Sequence, residues 1–171
     1  MKGCMAIDRQ KTETVHWHAV FTASRAEKKV RDRLEELGVE CFLPVQTVLR
    51  QWTYRKSRVV VPVIAGLVFV RVGRQEQVKV LQTKGVVAFL RLKGEAGAAV
   101  IPDKQMEDFR FLLDFSEEAV EMTNENIKAG DLVRVVKGSL RGMEGELIRH
   151  KGVTKVLVRI DMLGCAMVNI P

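Results

Sequence analysis

The sequence predicts an α+β chain in which an antiparallel sheet flanked by helices is followed by a small all-β barrel. Three observations carry this. Residues 15–115 mix strand-period and helix-period segments in the order β-α-β-β-α-β-α, which suits a sheet covered by helices. Residues 127–171 hold four short β-type runs separated by glycines, with no helix-period segment. Charge divides the chain at the same place: residues 1–115 carry a net +7, residues 116–126 carry four glutamates and no cation, and residues 127–171 carry a net +4. The acidic stretch 116–126 reads as a solvated linker joining two units free to reorient, and residues 1–14 read as a flexible tail.

Each element has its own signal. Val15–Thr22 alternates, with Trp17, Ala19 and Phe21 on one face and His18 and Val20 on the other, as in a strand. Ser24 can cap the next helix, with Glu27 three residues on completing a capping box. Ala26, Val30, Leu34 and Leu37 give that helix an apolar stripe, and Gly38 stops it. Residues 40–49 and 58–72 are strand-type, the second run interrupted near Pro62 and Gly66. A short helix is predicted over 74–83, ending at Gly85, then a strand over 86–92. A third helix is predicted over 103–115, with Met106, Phe109 and Leu113 turned inward. In the second unit, strands are predicted over 131–136, 144–150, 153–160 and 166–170. Its 45 residues can bury only a modest core.

Composition narrows the function. The 171 residues are 47% hydrophobic and 29% charged, a globular balance, and 28 Lys and Arg against 21 Asp and Glu leave a net +7. Cys4, Cys41 and Cys165 are too few and too scattered for a disulfide framework or a zinc site. The polar start of the chain lacks the apolar core of a signal peptide. The longest uncharged run, Val59–Val70, is short and broken by Pro62 and Gly66. A cytoplasmic protein with no membrane partner is therefore expected. There is no nucleophile elbow, phosphate loop or dinucleotide fingerprint. His16 and His18 can share a strand face but have no further ligand at metal spacing, which favours a polar strand edge, and Cys41 reads as a buried inert thiol. The expectation is a chain with no enzymatic activity, no cofactor and no metal.

The positive features are electrostatic. No acidic residue lies between Glu40 and Glu76, while Arg50, Arg55, Lys56, Arg58, Arg71 and Arg74 all do. With Trp52 and Tyr54 interleaved, Arg50–Arg58 reads either as a phosphate-contacting hairpin whose aromatics offer flat faces to bases, or as a solvated loop. Arg25, Lys29 and Arg33 at i, i+4, i+8 form a cationic row, either a nucleic-acid contact or a solvated face. Glu27–Arg31 and Lys28–Asp32 pairs beside the row would stabilise the helix.

Trp17–Thr22, Ala26–Val30 and Gly38–Pro44 together resemble the amino-terminal domain of NusG-type transcription factors. Pro62–Val70 resembles that domain's signature strand, and Gly85–Leu90 the strand after it. Ile127–Val136 followed by Gly138–Gly145 is similar to a KOW motif, which would make the second unit an SH3-like barrel. The resemblance implies a transcription elongation factor that binds the clamp helices of bacterial RNA polymerase and promotes antitermination. Phe21, Ile64, Leu67 and Phe69 match the family's apolar polymerase-binding positions. The signature strand reads Ala65-Gly66-Leu67 where the family has Pro-Gly-Tyr, which removes an aromatic anchor. The basic hairpin resembles specialised paralogues of the RfaH and UpxY kinds, which act on polysaccharide operons and in some cases read non-template DNA. The positions that approach DNA in those paralogues match Lys29, Arg33, Arg71 and Arg74, with Arg25 joining by its place in the row. Nascent RNA is the other nucleic acid in reach. The KOW-like unit implies a ribosomal protein or Rho as partner, contacted through Met162, Leu163 and Cys165, and the factor is expected to be a monomer. The rival reading is an RNA- or ribosome-binding KOW protein that never touches polymerase.

Overall fold

The computed structural model describes residues 13–170. The tail expected over 1–14, and Cys4 within it, falls outside them except for Glu13 and Thr14. Glu13 accepts a hydrogen bond from the Gln75 amide at 2.8 Å. The elements of the first unit are β1 (His16–Thr22), α1 (Glu27–Glu36), β2 (Glu40–Phe42), β3 (Val45–Gln51), β4 (Lys56–Pro62), β5 (Leu67–Val72), α2 (Glu76–Leu81), β6 (Val86–Phe89) and α3 (Asp103–Phe115). β2, β5, β1 and β6 lie side by side in that order as an antiparallel sheet, and β3 and β4 form a hairpin of their own.

The register Trp17↔Arg71, Ala19↔Phe69, Phe21↔Leu67 sends alternate side chains of β1 and β5 to opposite faces. On one face Val20, Val68, Val70 and Val72 pack with Val30 and Leu34 of α1 and Val80 of α2. On the other, Trp17, Ala19, Leu67 and Phe69 join Met106, Phe109 and Leu112 of α3. The inward set of α3 therefore includes Leu112, and Leu113 is only partly covered.

The entry to α1 corrects the capping-box expectation. The residue before the helix is Ala26, and no side chain caps it. Glu27 is buried and reaches instead to the β4–β5 turn, where its Oε1 accepts the Gly66 N–H at 2.7 Å. Lys28 donates to the Val60 carbonyl at 3.2 Å, and Arg31 pairs with Asp32 at 2.8 Å, so neither expected i, i+4 pair forms. A buried charge-assisted bond contributes about 1.5–3 kcal/mol against roughly 0.3–0.5 for an exposed helix pair, so the longer reach wins. At the other end Gly38 adopts φ +75°, and Val39 N–H returns to the Leu34 carbonyl at 3.0 Å in a Schellman closure that leaves Leu37 exposed.

The second unit is a five-stranded antiparallel sheet in the order β7-β11-β10-β9-β8. Its strands are β7 (Glu121–Thr123), β8 (Asp131–Arg134), β9 (Glu144–His150), β10 (Val153–Ile160) and β11 (Gly164–Asn169). Four were expected close to these bounds, and β7 was not expected at all. The stretch 116–126 thus differs from a free linker. Val120 is 4% exposed, and the Gln46 side chain donates to its carbonyl at 3.2 Å and accepts from its amide at 2.9 Å. Residues 121–123 then pair with β11. The four glutamates dominate the segment's composition and stay exposed, while Val120 and Met122, two apart, turn into one apolar cluster. That cluster runs from Phe69 and Phe109 through Val120 to Val158, Ile160 and Val168. Gln105 of α3 accepts the Asp161 amide at 2.8 Å beside it.

Candidate nucleic-acid and partner interface

Three chain segments converge where α1 begins. Thr22 N–H donates to the Gly66 carbonyl at 2.9 Å and Ala23 N–H to the Gly85 carbonyl at 2.8 Å. Gly85 holds φ +98°, and a Cβ there would come within 2.8 Å of Val30 Cγ2, so only glycine lets this turn lie against the helix. Arg33 Nη1 then donates to the Lys84 carbonyl at 2.7 Å. Lys84, which sequence reasoning passed over, is thereby carried beside the Lys29–Arg33 row. Its only sequence signal is the turn glycine that follows it.

Arg25 is not part of the helical row. It lies in the turn before α1 with φ +58°, a left-handed backbone that costs an arginine roughly 1–2 kcal/mol, and its side chain is exposed. Arg25→Gly is expected to raise stability by about 0.5 kcal/mol, because glycine relieves that strain and loses some of the gain in chain entropy. A urea midpoint that falls instead would show the arginine side chain to be holding the turn.

The remaining cations separate. Arg71 projects from the α3 face of the sheet, opposite α1, and is paired with Glu40 at 3.5 Å and Asp103 at 4.0 Å. This corrects its grouping with Lys29 and Arg33, since strand alternation sends it to the wrong side. Arg74 stands at the far end of β5, lining an open cleft of about 400 Å³ with Thr14, His16, His18 and Gln77. His18 there is buried, its Nδ1 lies 2.8 Å from the Ala99 carbonyl, and burial lowers its pKa below the ordinary histidine value. It is a core histidine bonded to the backbone, while His16 is exposed. Arg50, Arg55, Lys56 and Arg58 are all exposed on the β3–β4 hairpin.

Of the expected apolar contact residues, Phe21 is 41% exposed and Ile64 is partly buried in the turn held by Glu27. Leu67 and Phe69 are 2% and 0% exposed, a correction to the expected open patch. α3 lies over their face, and Phe69 sits between Phe42 at 6.2 Å and Phe109 at 6.1 Å, ring centre to ring centre. In the second unit Met162 is exposed with φ +68°, and Leu163 is partly covered by the shared cluster. Cys165 is buried in β11, its Sγ 3.7 Å from Arg159 Nη1, so it is no surface contact. Burial, assisted by Glu35, pushes the Cys41 thiol up to about 11, which leaves it protonated and unreactive.

Among the described residues no group of three or more His, Cys, Asp and Glu side chains could hold a metal ion, and no helix is long and apolar enough to cross a membrane. No curated protein matches the sequence. The structure described as "Domain interaction in Thermotoga maritima NusG" is similar at 21% identity, covering 91% of this chain and 93% of that one, with a TM-score of 0.49. Conformation B of the MjSpt4:Spt5 complex is similar at 17% identity over 90% of this chain and 97% of that one, with a TM-score of 0.31. Residues 15–110, more than half of the chain, match the family described as "Transcription termination factor nusG". The chain belongs to the NusG family.

Proposed function

We propose that this protein is a transcription elongation factor that docks on bacterial RNA polymerase and promotes antitermination, in the manner of the specialised paralogues that serve polysaccharide operons. The observation that carries the reading is that an exposed apolar side chain and a basic row stand at the same end of the first sheet. Phe21 and Ile64 flank the Gly66 turn, Arg33 bonds to the Lys84 carbonyl at the Gly85 turn with Lys29 one helical turn before it, and Arg25 stands in the turn that leads into α1; both glycine turns bond to the last residue of β1 and the residue after it. Phe21 lies on the α3 face and the Lys29–Arg33 row on the α1 side, so the two share one end of the sheet rather than one face, an arrangement that suits a protein partner on one side of that end and nucleic acid on the other. Non-template DNA exposed at the polymerase surface fits such a row, and nascent RNA is the second candidate. The five-stranded sheet serves, on this reading, as an SH3-like barrel of the KOW kind that recruits a ribosomal protein or Rho through Met162 and Leu163.

The test is capture of core RNA polymerase by the full chain and by Phe21→Asp and Ile64→Asp variants. A carboxylate placed in a desolvated apolar contact should weaken capture at least about tenfold. Undiminished capture by both variants would remove this surface from the polymerase interface. No capture by the unsubstituted chain would favour an RNA- or ribosome-binding role without polymerase.

A further inference from the structure

From the outer end of the β3–β4 hairpin we infer that its tip is a stacking site for unpaired nucleobases, with Tyr54 and Trp52 as the stacking residues; this rests on reading the hairpin as a nucleic-acid contact. The hairpin pairs only with itself, from Val45↔Pro62 out to Gln51↔Lys56. Its inner end is tied down by the Val63 amide on the Pro44 carbonyl at 2.8 Å and by Gln46 on Val120. Residues 49–56 are exposed without exception. A two-stranded ladder is marginal in water, and aromatic rings at its tip would support it only by packing on something. Tyr54 packs on nothing, with 98% of it open to solvent.

Trp52 is oriented without being covered. Its indole N–H donates to Ser57 Oγ at 3.0 Å and its amide to the Arg55 carbonyl at 2.7 Å, yet the residue is 54% exposed. The ring is thus held ready at little further cost in side-chain freedom. Arg50, opposite Ser57, is on the same strand face as Trp52, while Lys56 and Arg58 are on the other. No carboxylate interrupts residues 41–75. Cations alone would serve a duplex, which presents phosphates and keeps its base faces inside its own stack. Two open rings among four cations need a ligand that offers phosphates and bare base faces together, and a single strand is that ligand.

The experiment is a fluorescence titration of the full chain with single-stranded DNA, single-stranded RNA, duplex DNA and an abasic DNA strand, each about ten nucleotides long. Trp17 is buried and Trp52 exposed, and these are the two tryptophans in the sequence, so quenching by a stacked base reports on Trp52. Quenching is expected with the base-bearing single strands and not with the abasic strand or the duplex. Whichever of DNA and RNA binds more tightly identifies the source. Tyr54→Ala should weaken single-strand binding about tenfold and leave its salt dependence unchanged, while Tyr54→Phe should bind as the parent does. Lys56→Gln should lower the slope of log K against log salt by about 0.7. Equal binding of base-bearing and abasic strands, or of single strand and duplex, would overturn the stacking site while leaving a phosphate-binding hairpin. Failure to bind any of the four would overturn the underlying reading of the hairpin itself.

Discussion

Leu67→Asp is expected to unfold the first unit rather than silence a binding surface. Leu67 pairs with Phe21 across β5 and β1 but sits 2% exposed in the cluster that holds Phe69 and Phe109. A carboxylate there loses the leucine's burial and gains no partner, a combination that costs more than about 4 kcal/mol. Net stabilities of single domains are about 5–15 kcal/mol, so most of the margin disappears. The check is urea unfolding followed by far-ultraviolet circular dichroism, with Phe21→Asp as comparison. Phe21 is 41% exposed and a carboxylate there can reach water, so its variant should lose no more than about 2 kcal/mol. A Leu67→Asp protein with the parent's midpoint would return Leu67 to the surface and to the proposed polymerase contact.

The contrast between these two residues marks how far the sequence could be read. Alternation along Trp17–Phe21 and Leu67–Arg71 states which side chains share a face, and the register agrees. It does not state what lies over that face, because the cover is α3, more than thirty residues downstream. The same gap separates Arg71 from Lys29 and Arg33, which the resemblance to DNA-reading paralogues had grouped together. The helix over 103–115 was legible to the residue, since its apolar period is long and unbroken and begins after a proline. β7 was not legible: its three residues carry no period, and it forms because the edge of β11 is there to pair with. Glu27 was legible as a residue with a partner but not as to which one, since the capping-box spacing says nothing about a glycine amide 39 positions away. In the candidate site, the basic hairpin could be found by charge and aromatics alone, whereas Lys84 needed the folded turn to bring it to α1.

The acidic stretch between the units offers the second large effect. Sequence composition makes it a tether that a protease should cut freely. Its folded neighbours make it a strap, with Val120 in the shared cluster, both backbone groups of Val120 bonded to Gln46, and the next three residues paired with β11. Val120→Asp places an unpaired charge in that cluster and should favour opening of the strap by about 3 kcal/mol, or roughly 150-fold. Gln46→Ala removes the two hydrogen bonds to Val120, and at about 0.5–1.5 kcal/mol each should favour opening at least fivefold. The measurement is the rate at which a glutamate-specific protease cuts after Glu117 and Glu118, both exposed in the strap just ahead of Val120. The parent chain should be cut slowly and Val120→Asp fastest, with Gln46→Ala between them. Both fragments should remain folded, because α1, α2 and β10–β11 have apolar contacts of their own away from the shared cluster. Equal, rapid cutting of all three proteins would restore the free tether. Slow cutting that either substitution accelerates means instead that freeing the second unit from α3 requires breaking contacts made by Val120 and Gln46, and Gln46 extends from the inner end of the hairpin whose tip carries Trp52 and Tyr54. Any ligand that pulls on that hairpin then acts directly on the strap, so in the parent chain saturating single-stranded nucleic acid should change the cutting rate, and in Gln46→Ala it should not.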